Sequence, residues 1–168
     1  MQRIKQYLIV VVMFLLAACA RIPGSTAAPT MPVEPTNVVA ATAPANSIPK
    51  LNGDWRMMLT QSGGFIGMSK SIQIDASGAA TVTDLRSKKT SQAVLPADTL
   101  KKLTDLVANS SYKPASMPSG CADCFIFKLE ITSGSQKFQV EMNDIDLQTS
   151  GLQDLVGFLG QSMRSIEK

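Results

Sequence analysis

Phe125-Ile126-Phe127-Lys128-Leu129-Glu130-Ile131-Thr132 sets Phe125, Phe127, Leu129 and Ile131 against Ile126, Lys128 and Glu130. That alternation has the period of two of a strand with one buried face. Ser133-Gly134-Ser135 reads as a turn, and residues 136–142 return through Phe138 and Val140. Two alternating runs joined by so short a turn form an antiparallel hairpin. Upstream, Pro96-Ala97-Asp98 opens a helix, because proline is tolerated in the first turn and an acid there meets the positive end of the dipole. Leu100, Leu103, Leu106 and Val107 share its inner face, and Asn109-Ser110-Ser111 ends it. A loop with Pro114, Pro118 and Gly120 leads back to the hairpin.

Further upstream the period of two returns. Residues 53–62 carry Trp55, Met57 and Leu59 at alternate positions, and residues 65–75 carry Ile66, Met68, Ile72 and Ile74. Ala76-Ser77-Gly78 turns into a third strand over residues 79–85, and residues 90–95 read as a fourth. Downstream, a helix is expected from about Ser150, with Leu152, Leu155, Val156, Leu159 and Met163 inward. The expected fold is therefore α+β: an antiparallel β-sheet of about six strands packed by two α-helices, in the order β-β-β-β-α-β-β-α over residues 51–168.

The first fifty residues differ in character. Arg3 and Lys5 precede an apolar run over residues 7–16, and Ala17-Ala18-Cys19 follows. A basic start, a short apolar stretch and small residues before a cut are the parts of a secretory signal. The apolar run is short of the roughly 20 residues a spanning helix needs. Leu16-Ala17-Ala18-Cys19 resembles the bacterial lipobox, which implies cleavage of residues 1–18 and lipidation at Cys19. Ala20, where an Asp would mark inner-membrane retention in many two-membrane bacteria, favours the outer membrane if there are two. The expected location is the extracytoplasmic side of a cell or outer membrane, held by the N-terminal lipid. Residues 19–50 hold Pro23, Pro29, Pro32, Pro35, Pro44 and Pro49 among Ala, Thr, Ser and Val, the composition of an extended tether.

The chain has 16 basic and 13 acidic residues, but Arg3, Lys5, Arg21, Lys50 and Glu34 fall in the first fifty. The remaining 118 residues are neutral, with as many acids as bases. They offer no basic face to phosphates, and aromatic residues are few, so no nucleic-acid partner is expected.

Catalytic machinery is scarce. The sequence has no histidine, which removes the commonest general base and most zinc sites, and no Gly-rich phosphate loop of standard spacing. No enzyme activity and no cofactor are expected. Asp144 and Asp146, on one side of a strand or one loop apart, read as solvated acids. Cys121-Ala122-Asp123-Cys124 stands out more. Setting Cys19 aside leaves an even pair, and an exported compartment favours a disulfide between Cys121 and Cys124. A redox pair belongs at a helix start, and this one precedes a strand. Two thiols without histidine supply half of a zinc set. Ser62-Gly63-Gly64-Phe65-Ile66-Gly67 reads first as a turn or bulge with Phe65 folded into the core, and second as a binding tip.

Four blocks taken together resemble emfourin, a small protein inhibitor of thermolysin-like zinc metalloproteases, and its exported relatives. They are Gly63-Gly64-Phe65-Ile66-Gly67 with the strand after it, Leu95-Pro96 entering a Leu-rich helix, Gly120-Cys121-Ala122-Asp123-Cys124-Phe125 with its strand, and the terminal Leu-rich helix. The resemblance runs from about Met57 to Leu159. It implies a secreted metalloprotease as partner, occluded by loops of the inhibitor: the turn at Gly63, Gly64 and Phe65, and the loop bearing Gly120 and Asp123. Gly53-Asp54-Trp55 resembles the Gly-x-Trp opening of lipocalins, which implies a small envelope lipoprotein with an apolar ligand. A structural or assembly factor of the envelope is the third expectation.

Overall fold

A computed structural model describes residues 47–115 and 120–168, all within one unit of the chain, Ala40–Lys168. The expected signal segment of residues 1–18, Cys19, most of the expected tether and Pro118 lie outside the described residues. Six strands form one antiparallel sheet: β1 (Trp55–Gly63), β2 (Met68–Asp75), β3 (Ala79–Asp84), β4 (Thr90–Val94), β5 (Phe125–Ser133) and β6 (Gln136–Asn143). Their order across the sheet is β4-β3-β2-β1-β5-β6. The first four strands are a meander, the last two a hairpin, and β1 joins the two by pairing with β5.

Alternation decides which face is buried. Met57, Leu59, Ile72, Ile74, Ala80, Val82, Leu129, Ile131, Phe138 and Val140 point to one side and are buried. The register places Leu59 opposite both Ile72 and Leu129, so the apolar rows of neighbouring strands coincide. Two helices cover that face. α1 (Ala97–Asn109) buries Leu103 and Val107, and α3 (Gln153–Ile166) buries Leu155, Val156, Leu159, Gly160 and Met163. The opposite face, with Arg56, Thr60, Gln73, Thr81, Lys128, Glu130 and Gln139, is polar and reaches water, as one face of an antiparallel sheet can. There Glu130 is paired with Lys128 at 2.8 Å and with Lys137 at 3.3 Å.

Three details differ from the pattern expected of the sequence. A third, short helix, α2 (Asp144–Leu147), takes the place of a strand or loop at the two acids; Asn143 caps it by accepting from the Asp146 N–H at 2.8 Å. Strand β2 starts at Met68, because residues 64–67 close a turn in which the Gly67 N–H donates to the Gly64 carbonyl at 2.9 Å. α3 starts at Gln153, after a turn in which the Ser150 hydroxyl oxygen accepts from the Leu152 N–H. Composition also places the domain edge slightly late: Ile48 packs against the core and Pro49 is buried.

Candidate functional site

The antiparallel order brings four chain segments to one end of the sheet. β1 ends there and β2 begins there, with the 64–67 turn between them. β5 begins there, just after the cysteine loop, and β6 ends there, running into α2. The register sets Gly63 opposite both Met68 and Phe125, and Ile126 opposite Asn143. Residues 63–67, 120–124 and 144 are therefore neighbours in space although far apart in sequence.

The turn is held from both sides. The Gly64 N–H donates to the Cys124 carbonyl at 3.1 Å. Gly63 has φ of +90°, and a Cβ on it would stand 2.5 Å from that same Cys124 oxygen, so the close approach requires glycine. On the other side Arg86 donates from Nη1 to the carbonyls of Ile66 at 3.2 Å and Gly67 at 3.0 Å. Arg86 is itself presented by the β3–β4 turn. There the Asp84 carboxylate accepts from the backbone N–H of Ser87 at 2.8 Å and of Arg86 at 2.9 Å. These bonds, that from Ser87 foremost, hold the Asp84 carboxyl below its ordinary pKa.

At the tip of this braced turn Phe65 is 93% exposed and Ile66 72% exposed. The expectation that Phe65 folds into the core is thus overturned. The reason is the turn: residues 65 and 66 occupy its two central positions, where side chains point away from both strands, and the aromatic place beside Gly64 is taken by Phe125. Ile145 on α2, at the same end, is 48% exposed. Three of the four large apolar side chains exposed among the described residues therefore lie at this end; the fourth, Val94, closes β4 at the other. Grouped exposed apolar residues on a polar surface mark a contact site.

Cys121 and Cys124 are joined in a disulfide with a Cα–Cα separation of 5.6 Å, as the sequence leads one to expect. Gly120, Cys121, Ala122 and Asp123 are exposed and Cys124 half-buried. Asp144 carries a feature that sequence reasoning missed. Its side chain is half-buried, its Oδ1 is shielded from solvent, and that oxygen has no hydrogen-bond partner among the described residues. One of its carboxylate oxygens lies within 4.8 Å of both cysteine sulfurs. Nothing in the local sequence distinguishes Asp144 from Asp146; only the β5–β6 register places it beside the cysteines.

The opposite end of the sheet offers a different surface. A groove of about 510 Å³ runs past Trp55, lined by Asp54, Arg56, Asp75, Ala76, Ser77 and Thr132. Trp55 itself is buried and Phe138 lies in the core, so the groove is a shallow one of mixed polar and apolar lining with no Phe residue in it. No helix among the described residues is long and apolar enough to cross a membrane. No protein-family model and no curated protein matches this chain.

Proposed function

We propose that this protein is a lipid-anchored, extracytoplasmic binding protein without catalytic activity, and that it inhibits a thermolysin-like zinc metalloprotease by occluding its cleft. In this reading the lipid on Cys19 fixes it to the outer side of a membrane, the tether spaces it off the surface, and the 63–67 turn and 120–124 loop enter the protease. The observation that carries the reading is the exposed Phe65–Ile66 pair on a turn whose backbone is tied to Cys124 on one side and Arg86 on the other. A turn already fixed loses little freedom on binding, and its apolar pair gains by leaving water. The disulfide stiffens the second loop in the same way.

Two observations favour this over the other readings. An apolar ligand would need an apolar cavity lined by Trp55 and the Phe residues, and the groove there has no Phe in its lining and sets Asp54, Arg56, Asp75, Ser77 and Thr132 beside Ala76 and a buried Trp55. An assembly factor would present an apolar patch on the sheet or a helix; the open sheet face carries Arg56, Gln73, Lys128 and Glu130, and among the described residues Ile145 on short α2 is the one large apolar side chain that a helix exposes. The test is a titration of the detergent-solubilised full chain against thermolysin and secreted proteases of its class. Saturable inhibition is expected, weakened about tenfold or more in Phe65→Ala/Ile66→Ser, which corresponds to losing about 1.4 kcal/mol of contact. Both side chains are exposed, so the variant keeps its melting temperature. A folded, uncleaved protein that inhibits none of the panel overturns the reading.

A further inference from the structure

We infer that Cys121, Cys124 and Asp144 form a redox-gated site for a thiophilic divalent cation, of which zinc is the best fit. Three observations converge on it. The cysteines have the C-x-x-C spacing from which zinc takes two ligands, and their Cα atoms are 5.6 Å apart. A third donor, from a different strand end, brings a carboxylate oxygen within 4.8 Å of both sulfurs. The same carboxylate has a buried oxygen without a hydrogen-bond donor among the described residues. A buried carboxylate oxygen left unpaired is unfavourable, and a cation at the cysteines would relieve that deficit.

The disulfide and the metal exclude each other. While the sulfurs are bonded they offer no thiolate, and Asp144 faces them alone. A dithiol donor opens the bond by two exchanges, which leaves two thiols on this chain and one disulfide on the donor. The incoming cation displaces both thiol protons to solvent and takes two thiolates and the carboxylate. Tetrahedral zinc, with Zn–S of about 2.3 Å, needs sulfurs about 3.8 Å apart, a separation that rotation of the freed side chains supplies. Zinc suits the set because it accepts sulfur and carboxylate oxygen together and has no redox chemistry to reoxidise the thiols. Three protein ligands leave a fourth position for water or for a donor from a bound partner. Opening the ring does not disturb the core, since neither cysteine belongs to it and strand pairing starts at Phe125.

This inference is separate from the inhibitor reading: its readout is metal binding, and a chain that binds zinc but inhibits nothing leaves it intact. The experiment titrates the detergent-solubilised full chain with Co²⁺ and then Zn²⁺, once oxidised and once reduced with a phosphine under argon. One Co²⁺ per reduced chain is expected, with thiolate-to-cobalt charge-transfer absorption that Zn²⁺ abolishes, and none in the oxidised protein. Asp144→Asn should weaken zinc binding by about tenfold or more, since losing even an outer-shell partner of a zinc ligand costs 10–100-fold. Absence of stoichiometric binding to the reduced chain, or equal affinity in a folded Asp144→Asn protein, overturns the proposal. Should that variant not fold, X-ray absorption at the zinc edge of the loaded wild type decides: two sulfurs with lighter ligands support the site, and a shell without sulfur rejects it.

Discussion

The two ends of the sheet are built from the same elements, hairpin turns between antiparallel strands, and finished in different ways. At the Trp55 end the buried polar side chains among the described residues are satisfied within the fold. Asp75 accepts from the Ser77 N–H at 2.9 Å, the Ser77 hydroxyl at 2.6 Å and the Ala79 N–H at 3.2 Å. Buried Ser133 donates to the Lys50 carbonyl at 2.9 Å and accepts from the Asn52 N–H at 3.1 Å, which ties the entering chain to β5. At the Phe65 end the backbone is held as firmly, but large apolar side chains stand in water and a carboxylate oxygen is buried unpaired. Only Val94 breaks this contrast, as an exposed apolar side chain at the Trp55 end. Departures from local rules gather at functional or strained sites, and here most of them lie at the Phe65 end.

The sharpest way to break this contrast is to add the same methyl group at both ends. Gly63→Ala meets a left-handed backbone and the Cys124 carbonyl oxygen together, and is expected to destabilise by about 2–4 kcal/mol. Gly134→Ala, in the β5–β6 turn, has φ of +56° and open space around its Cβ, and should cost about 1–2 kcal/mol. Denaturant melts of the two variants read the difference, which isolates the close approach of turn and cysteine loop. Equal costs would mean that the approach contributes nothing. Ser133→Ala comes next, at about 1–2 kcal/mol, because two backbone groups lose their partner at a buried site. A melt unchanged by that substitution would show that residues 50–52 are not anchored through it.

The smallest expected effect is that of acid, and it acts at both ends and in mid-sheet. The carboxyl of Asp75 is held below its ordinary pKa chiefly by the Ser77 hydroxyl, that of Asp84 chiefly by the Ser87 N–H, and that of Glu130 chiefly by Lys128. A carboxyl that binds protons less readily folded than unfolded adds stability above the ordinary carboxylate pKa, and that share disappears as pH falls through the folded value. The melting temperature should therefore decline only below about pH 4. Asp75→Asn should reduce the size of that decline. A protein whose melting begins to fall between pH 6 and 7 would contradict this account.

The fold was readable because alternation is a local signal. Phe127, Leu129 and Ile131 announce a buried strand face whatever surrounds them, and Leu103 with Val107 does the same for α1. Where the pattern stopped being local, reading failed. Ile66 continues the period of two on paper, yet it falls in a turn fixed by glycine backbone and by Arg86, twenty residues away. Asp144 looks like any acid of a surface turn until β5 and β6 are paired in register. The cysteine pair was visible as a unit; its third neighbour was not. Candidate loops 63–65 and 120–124 were both picked out by sequence, but that they touch through Gly64 and Cys124 is a property of the β1–β5 pairing alone.

That pairing has a consequence in time. Every other strand contact joins neighbours in the chain, so residues 55–94 and 125–143 can each zip locally, on the microsecond scale of hairpins. β1 meets β5 only by closing a loop of more than sixty residues, from Gly63 to Phe125, and long-range closure is the slow kind. The Phe65 end is assembled across that seam, from the last residue of β1 and the first of β5. It comes into being when the two halves dock, and any fluctuation that parts them removes it first. Hydrogen exchange at the Gly64 N–H would then report on the joining of the halves themselves.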